Sequence, residues 1–393
     1  MKNIVLGITG GIAAYKVVQV ASNLAQKNYE VKVVMTESAV EFVTPLTFRT
    51  ITQNPVETDL FSPPQNFKVK HVSLAKQADI FLIAPATANF ISKMASGIAD
   101  DLLSTLILAT EAPIIVAPSM NVNMYNNPII QDNMDYLKDK GIEIISPDSG
   151  YLACGDTGKG RLPEPELLTE LVIRKLSPKF LKDYKVLITA GPTREPLDPV
   201  RYLSNYSSGK MGYALARAAN NAGADVTLIS GPVSLESPAG VQTINIETAE
   251  AMEKEVLELA SSQDIIIMAA AVADFRPVRK AKKKLKKDKF KSSLNLVQNP
   301  DILKKIGKNK TNNQIIVGFA AESSDLEKNA YSKLVNKNLD MIIANNINRT
   351  DIGFASNDNE VLLITKNQQK KLKKMSKINL ANKIIRYIND KIL

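Results

Sequence analysis

Few residues in this sequence stand apart by type and surroundings as candidates for chemistry. His71 is the only histidine and Cys154 the only cysteine among 393 residues, so one chain can assemble neither a disulfide nor a Cys/His zinc site. Cys154 lies between a predicted turn and the glycine-rich stretch 155–160, where it is either a small inert hydrophobe or part of a flexible loop that closes over a ligand and excludes water. Asn121, inside Pro118–Met124 (PSMNVNM), offers a neutral amide donor suited to a carboxylate, or simply forms a turn after a strand. Asn205 offers an amide suited to orienting a carbonyl, or likewise forms a turn. Gly10 and Gly11 in one turn, and Gly209 with Lys210 in another, bring backbone N–H groups and a helix N-terminus toward a phosphate, or only permit close packing. Neither turn spells G-x-G-x-x-G, and Gly209-Lys210 lacks both the upstream glycine and the following Ser/Thr of a P-loop. Lys333 and Lys337, four apart, share one helical face toward an anion or toward solvent. Arg279–Lys291 (RKAKKKLKKDKFK) holds nine basic residues against one acidic, the makings of a solvated loop or a polyanion patch.

The elements that must position these residues alternate strand and helix. Apolar runs at Ile4–Ile8, Val31–Met35, Ile80–Pro85, Ile114–Ala117 and Ile142–Ile145 predict buried strands with helices between them, the pattern of a doubly wound parallel sheet. Ligands in that fold sit at the carboxyl ends of strands. The unusual segments follow the strands here too: Thr9-Gly10-Gly11, Thr36-Glu37-Ser38, Ala86-Thr87-Ala88-Asn89 and Pro118-Ser119-Met120-Asn121. Lys185–Ala216 restarts the opening grammar of strand, loop and helix. A second series then runs through Val186–Thr189, Asp225–Ser230, Ile265–Ala270, Ile315–Phe319, Met341–Ala344 and Val361–Thr365. The chain is therefore expected to be α/β with two doubly wound, Rossmann-like domains, 1–182 and 183–393, joined near Ser177-Pro178. The tail from Lys366 reads as a strand exit and a final amphipathic helix, with no chemistry assigned.

Composition narrows the class. Hydrophobic content of 45% supports globular folding. There is no uncharged apolar run of about 18 residues, and Met1-Lys2-Asn3 leads into a strand instead of a signal peptide, so a cytoplasmic protein without a membrane span is expected. The net charge of +10 is uneven: residues 1–182 carry 17 basic and 18 acidic residues, 17 − 18 = −1, and residues 183–393 carry 33 and 22, 33 − 22 = +11.

PSMNVNM resembles the P-x-M-N-x-x-M motif of the flavin-dependent cysteine decarboxylases. Three further segments match that family in order: GITGGIAAYK its flavin-phosphate loop, HVSLAKQADIFLIAPATAN its histidine-to-flavin segment, and ACGDTGKGRL its substrate clamp. Tyr125 stands where some members have Trp, and Asp100 where many have Asn. The resemblance implies FMN held by Gly10, Gly11, Ile12, Ala13, Thr36, Ser38, Thr87, Ala88, Asn89 and Ser119. It implies 4′-phosphopantothenoylcysteine as substrate: oxidation of the cysteine moiety to a thioaldehyde lets CO2 depart, and returned electrons with a proton give 4′-phosphopantetheine. On this resemblance His71 is the base, Asn121 holds the substrate carboxylate, and Cys154 is the acid of the reduction step. Arg161 and Lys159 either hold an anion or are surface charge.

The second half resembles phosphopantothenate–cysteine ligase, which bacteria commonly fuse to the decarboxylase. The matching motifs are AGPTREPLDPVRYLSNYSSGKMG, AAAVADF, the basic loop, NPDI and GFAAES. The implied reaction activates 4′-phosphopantothenate with CTP and magnesium to an acyl-CMP, which the amine of cysteine then attacks. Lys284 falls on the family's activation lysine and Asn205 on the residue of the second half-reaction. Asp274, Asn299, Pro300, Asp301, Ile302, Phe319, Lys333 and Lys337 fall on CTP-contacting positions, and Gly209 with Lys210 on the substrate phosphate. The resemblance also implies a homo-oligomer, a dodecamer of decarboxylase trimers and ligase dimers. Two other classes stay open. The first half would be an idle flavin-binding interaction module, or the basic second half a nucleic-acid binder; the lysines lack the aromatic stacking ladder of the latter, and neither nucleic acid nor membrane is the expected partner.

Overall fold

In the computed structural model the described residues are 1–61, 70–286, 293–322, 325–346, 351, 353 and 356–393. The chain divides into two compact units, Met1–Leu176 and Ser177–Leu393. The division precedes the expected boundary at 182/183 because Leu181 is buried in the second unit's core and donates its backbone N–H to Ala222.

In the first unit, strands β1 (Asn3–Ile8), β2 (Glu30–Met35), β3 (Val56–Glu57), β4 (Ile80–Ala86), β5 (Ile114–Pro118) and β6 (Glu143–Ile144) form a parallel sheet in the order β3-β2-β1-β4-β5-β6. Both faces are covered, so β1 and β4 are nearly unbroken apolar runs. Val5, Phe81 and Val116 meet helices Ala88–Ser96, Leu102–Ala109 and Pro128–Asp139 on one face. Helix Ala14–Gln26 buries Val17, Val20 and Leu24 and packs against β1, β2, β4 and helix Pro165–Leu176. An antiparallel hairpin, β7 (Asp148–Tyr151) and β8 (Thr157–Arg161), stands outside the sheet. The stretch read as a flexible loop after Cys154 is thus mostly its second strand.

The second unit contains β9 (Lys185–Ala190), β10 (Arg194–Pro196), β11 (Tyr202–Ser204), β12 (Asp225–Ser230), β13 (Gln242–Asn245), β14 (Ile265–Met268), β15 (Phe275–Pro277), β16 (Leu296–Gln298), β17 (Ile315–Glu322), β18 (Met341–Asn346), β19 (Asp358–Thr365) and β20 (Gln369–Ser376). Eight of them form one sheet in the order β13-β12-β9-β14-β17-β18-β19-β20, parallel up to β18 and antiparallel beyond it. Two ribbons, β10-β11 and β15-β16, lie outside it. Helices Lys210–Asn221 and Lys377–Lys391 pack on one face around Tyr213, Leu215, Leu380 and Ile384. Helices Ala249–Ala260, Ile302–Lys308 and Leu326–Asn336 pack on the other around Met252, Ile306 and Leu334. In both sheets a central strand leads to a helix, β1 through a tight turn and β9 through residues 191–209 with the β10-β11 ribbon, and ligand crevices of such sheets form at these strand ends. Among the described residues no helix is long and apolar enough to cross a membrane.

Candidate active sites

The first unit has a cleft of about 830 Å³ at the carboxyl ends of β1, β2, β4 and β5, lined among others by Gly10, Gly11, Ile12, Thr36, Ser38, Thr87, Ala88, Asn89 and Ser119. Its walls are held by buried polar bonds. Thr9 Oγ1 donates to the Pro85 carbonyl at 2.7 Å and accepts from the Thr87 N–H at 3.0 Å, which ties the first turn to the end of β4. A Cβ on Gly10 would stand 2.3 Å from the Ser38 Cβ, so only glycine lets the turn press against the segment after β2. Helix Ala14–Gln26 starts with no side-chain cap and no acidic residue in its first turn. Thr36 Oγ1 is buried with no hydrogen-bond partner among the described residues. An uncapped helix start, a glycine cradle and an unsatisfied hydroxyl together fit a phosphate group. Ala13 does not line the cleft: it is the helix N-cap, with its methyl group buried.

At the cleft's edge β5 ends in PSMNVNM, and Asn121 caps a short helix, Val122–Tyr125, by accepting from the Asn123 N–H at 2.8 Å. The Met120 N–H donates to the Gly160 carbonyl at 3.0 Å, docking the β7-β8 hairpin against the motif. A side chain at Gly160 is excluded, since φ is 147° and a Cβ would lie 2.3 Å from the Met120 carbonyl oxygen. The hairpin tip brings Cys154 and Asp156 to Asn121. Asn121 Nδ2 donates to Cys154 Sγ at 3.3 Å and to Asp156 Oδ2 at 2.7 Å, and the Cys154 thiol donates to Asp156 Oδ2 at 3.4 Å. Asp156 was missed in the sequence, although it sits two residues past Cys154 in ACGDTGKGRL. The amide thus already holds a carboxylate beside a thiol. Asp100 also lines the cleft, paired with Lys93 at 2.7 Å. The Lys93 ammonium holds its carboxyl below the usual carboxylate range.

Three residues of interest lie off this cleft. His71 is half-buried in the first turn of helix Lys70–Gln77 and is not among the lining residues. Arg161 pairs with Glu164 at 2.5 Å, and Lys159 lies over the Tyr125 ring at 5.6 Å.

The second unit's cleft, about 610 Å³, gathers Asn205, Gly209, Lys210, Asp274, Asn299, Pro300, Asp301, Ile302, Phe319, Lys333 and Lys337. Asn299 is fixed by donating Nδ2 to the Ala273 carbonyl at 2.8 Å and accepting from Arg276 at 3.1 Å. Asn205 donates Nδ2 to the Ala271 carbonyl at 2.9 Å. Lys333 pairs with Glu322 at 2.6 Å, and Lys337 with Asp301 at 2.8 Å. Burial pushes the Asp301 carboxyl up, but Lys337 and the Lys304 N–H outweigh it and hold it below its usual range. Phe319 is half-buried within β17 with one side on the cleft.

Lys284 is exposed and is not among the lining residues. Its neighbour is nevertheless anchored: the Leu285 N–H donates to Asp198 Oδ2 at 3.1 Å, and Arg201 donates to the Leu285 carbonyl at 2.7 Å. Asp198, 2% exposed, pairs with Arg201 at 2.5 Å. That hydrogen bond, against the opposing effect of burial, holds its carboxyl far below the ordinary range. Residues 287–292 of the basic run lie outside the described residues.

Two clefts, each at the carboxyl ends of a doubly wound parallel sheet, define a two-domain Rossmann-like protein with a separate anion-suited site in each domain. The family model described as Flavoprotein matches residues 1–177, and that described as DNA/pantothenate metabolism flavoprotein C-terminal domain matches residues 181–392. The chain is similar to the coenzyme A biosynthesis bifunctional protein of Vibrio vulnificus (strain YJ016), at 47% identity over 389 residues, covering 98% of this chain and 97% of that one. Its likeness to the same protein of Bacillus subtilis (strain 168) is 45% over 392 residues, covering 98% and 96%. A crystal structure of the C-terminal domain of a coenzyme A biosynthesis bifunctional protein matches at 38% identity and a TM-score of 0.47, covering 55% of this chain and 98% of that one. The chain belongs to the family of bifunctional coenzyme A biosynthesis proteins.

Proposed function

We propose that the protein is a cytoplasmic enzyme that joins 4′-phosphopantothenate to cysteine in its second unit and decarboxylates the resulting 4′-phosphopantothenoylcysteine to 4′-phosphopantetheine in its first. The observation that carries the reading is the Asn121–Cys154–Asp156 cluster, an amide holding a carboxylate beside a thiol at the rim of a phosphate-suited cleft.

In the first unit Gly10, Gly11, Ile12, Thr36 and Ser38 would hold the FMN phosphate, with Thr87, Ala88, Asn89 and Ser119 along the rest of the cleft. Bound FMN supplies a two-electron acceptor that later returns the pair. Asn121 offers its amide N–H groups to the substrate carboxylate, a neutral donor that orients the group without stabilising it as an ion pair would. Asp156, now on that amide, gives way to it. The Cys154 thiol then donates the proton that completes the product, from the hairpin tip beside Asn121. His71, off its own cleft, takes its role as base in this reading through a second copy of the chain, in the proposed dodecamer of decarboxylase trimers and ligase dimers.

In the second unit the carboxylate of 4′-phosphopantothenate attacks the α-phosphorus of CTP. The new P–O bond forms as the bond to pyrophosphate breaks, giving an acyl-CMP. Lys284, Lys333 and Lys337 offset the charge that accumulates on the phosphates, Lys284 from a segment anchored at Asp198. Magnesium enters as the counter-ion of CTP. The amine of cysteine then attacks the acyl carbon, CMP leaves, and Asn205 positions the carbonyl.

Separation of the two activities tests the reading. Asn121→Ala should remove CO2 release while leaving pyrophosphate formation intact. Lys284→Met should do the reverse when 4′-phosphopantothenoylcysteine is supplied. Loss of both activities in both variants, with flavin still bound, would overturn the division of labour.

A further inference from the structure

The Asn121 amide is committed on one side and occupied on the other. Its Oδ1 accepts from the Asn123 N–H at 2.8 Å, and since a backbone N–H can only donate, this contact fixes which way the amide points. Recognition is left to Nδ2. Its two N–H groups go to Cys154 Sγ at 3.3 Å and to Asp156 Oδ2 at 2.7 Å, one thiol and one carboxylate. The cysteine end of 4′-phosphopantothenoylcysteine presents the same two groups.

The hairpin is built so that this side chain can leave while the rest stays. At its base the Gly160 carbonyl accepts from the Met120 N–H at 3.0 Å, and a Cβ at Gly158 would lie 3.0 Å from Val122 Cγ2, so the second strand is pressed against PSMNVNM. The tip is closed by its own backbone. The Leu152 N–H donates to the Asp156 carbonyl at 2.8 Å and the Gly155 N–H to the Leu152 carbonyl at 2.9 Å, with Gly155 at a φ of 91° that turns the chain back. Asp156 is exposed, and rotation of its side chain alone takes the carboxylate off Asn121 without breaking those backbone bonds.

We propose that Asp156 is an internal stand-in for the substrate carboxylate and so sets how tightly Asn121 holds carboxylated ligands. This rests on the decarboxylase reading. A carboxylated ligand displaces Asp156, exchanging one charge-assisted bond for another. The product, 4′-phosphopantetheine, has no carboxylate and leaves Asp156 in place. Affinity for the substrate is therefore lowered by the fraction of the time that the amide is taken, which holds down ground-state binding that would not speed the reaction. When CO2 departs, Asp156 returns to the amide and its donor is satisfied again.

Flavin absorbance titrations of the FMN-loaded full chain test this, because they report ligands of the first unit. The probes are 4′-phosphopantothenoylserine and 4′-phosphopantothenoylethanolamine, which differ only in the carboxylate and lack the thiol whose oxidation starts the reaction. Asp156→Ala should tighten the serine probe roughly three- to tenfold, the scale of one competing hydrogen bond, and leave the ethanolamine probe unchanged. Asp156→Asn keeps an acceptor oxygen without the charge and should fall between. Unchanged or weaker binding of the serine probe in both variants, or an equal change for both probes, would overturn the stand-in. A wild-type chain that binds neither probe removes the decarboxylase reading and the stand-in together. A selective gain in a chain that releases no CO2 from 4′-phosphopantothenoylcysteine keeps the stand-in and removes the reaction.

Discussion

Thr36 shows how one atom can state a requirement for a ligand. Its hydroxyl is buried without a hydrogen-bond partner among the described residues, a state that costs on the order of 1–3 kcal/mol unless something completes it. Thr36→Val should therefore weaken FMN binding roughly tenfold while leaving the flavin-free protein as stable or more so. Equilibrium dialysis and thermal unfolding read the two signs separately, and unchanged FMN affinity would count against the phosphate placement. Cys154→Ser should still release CO2 in a first turnover but fail to complete 4′-phosphopantetheine, because the acid is needed only after CO2 has left. Full product formation would remove Cys154 from that step. Lys377, which opens the last helix and lines the second unit's cleft, supplies a pH signature. Burial, and after it the charge of Lys210, push its folded pKa from the ordinary 10.5 down to about 8, so between those values the unfolded chain binds more protons and stability rises with pH. Relative to wild type, ligand-free Lys377→Met should be most favoured below pH 8, and its advantage should shrink toward pH 10.5; a pH-independent difference in urea unfolding would contradict this. Asn121 and Cys154 were legible in the sequence because motif and rarity mark them. Asp156 and Lys377 were not, since an aspartate in a turn and a lysine in a lysine-rich tail both look like solvated charge until the fold buries or apposes them.

At the scale of elements, the parallel strands were easy to read because strands covered on both faces need unbroken apolar runs, as in Ile80–Pro85 and Ile315–Phe319. The β7-β8 hairpin was not, because DSGY and TGKGR contain no alternation of apolar residues; its geometry comes from glycines and from docking on Met120. Nor was β20 legible as a full strand. Its QKKLKKMS is a lysine-rich edge, which protects the sheet from pairing with other chains. The element that positions Lys284 is the turn around Asp198, which holds Leu285 through two hydrogen bonds. A carboxylate whose pKa is depressed contributes its stability above the ordinary value and loses it only as pH falls through the folded value, so this tether is fully charged at neutral pH. Asp198→Asn should lower pyrophosphate formation roughly tenfold through misplacement of the lysine segment. CTP affinity and CO2 release from supplied intermediate should stay near wild type. A parallel fall in CO2 release would instead indicate general misfolding.

The whole molecule carries its charge asymmetry in its second unit, where residues 183–393 hold 33 basic and 22 acidic residues. The two-unit division and the repeated winding of the sheets were legible from the restart at Lys185, because both halves need a buried central strand that leads through a loop to a helix. The exact junction was not, since Leu181 belongs to the second core only by virtue of packing that no local pattern announces. The central claim is that one chain performs both steps. Its most direct test gives the purified full chain 4′-phosphopantothenate, cysteine, CTP and magnesium, and follows pyrophosphate and CO2 separately while recording the flavin absorbance. Both products, with a bound-flavin spectrum, are expected. Neither product, with flavin and magnesium confirmed present, would contradict it.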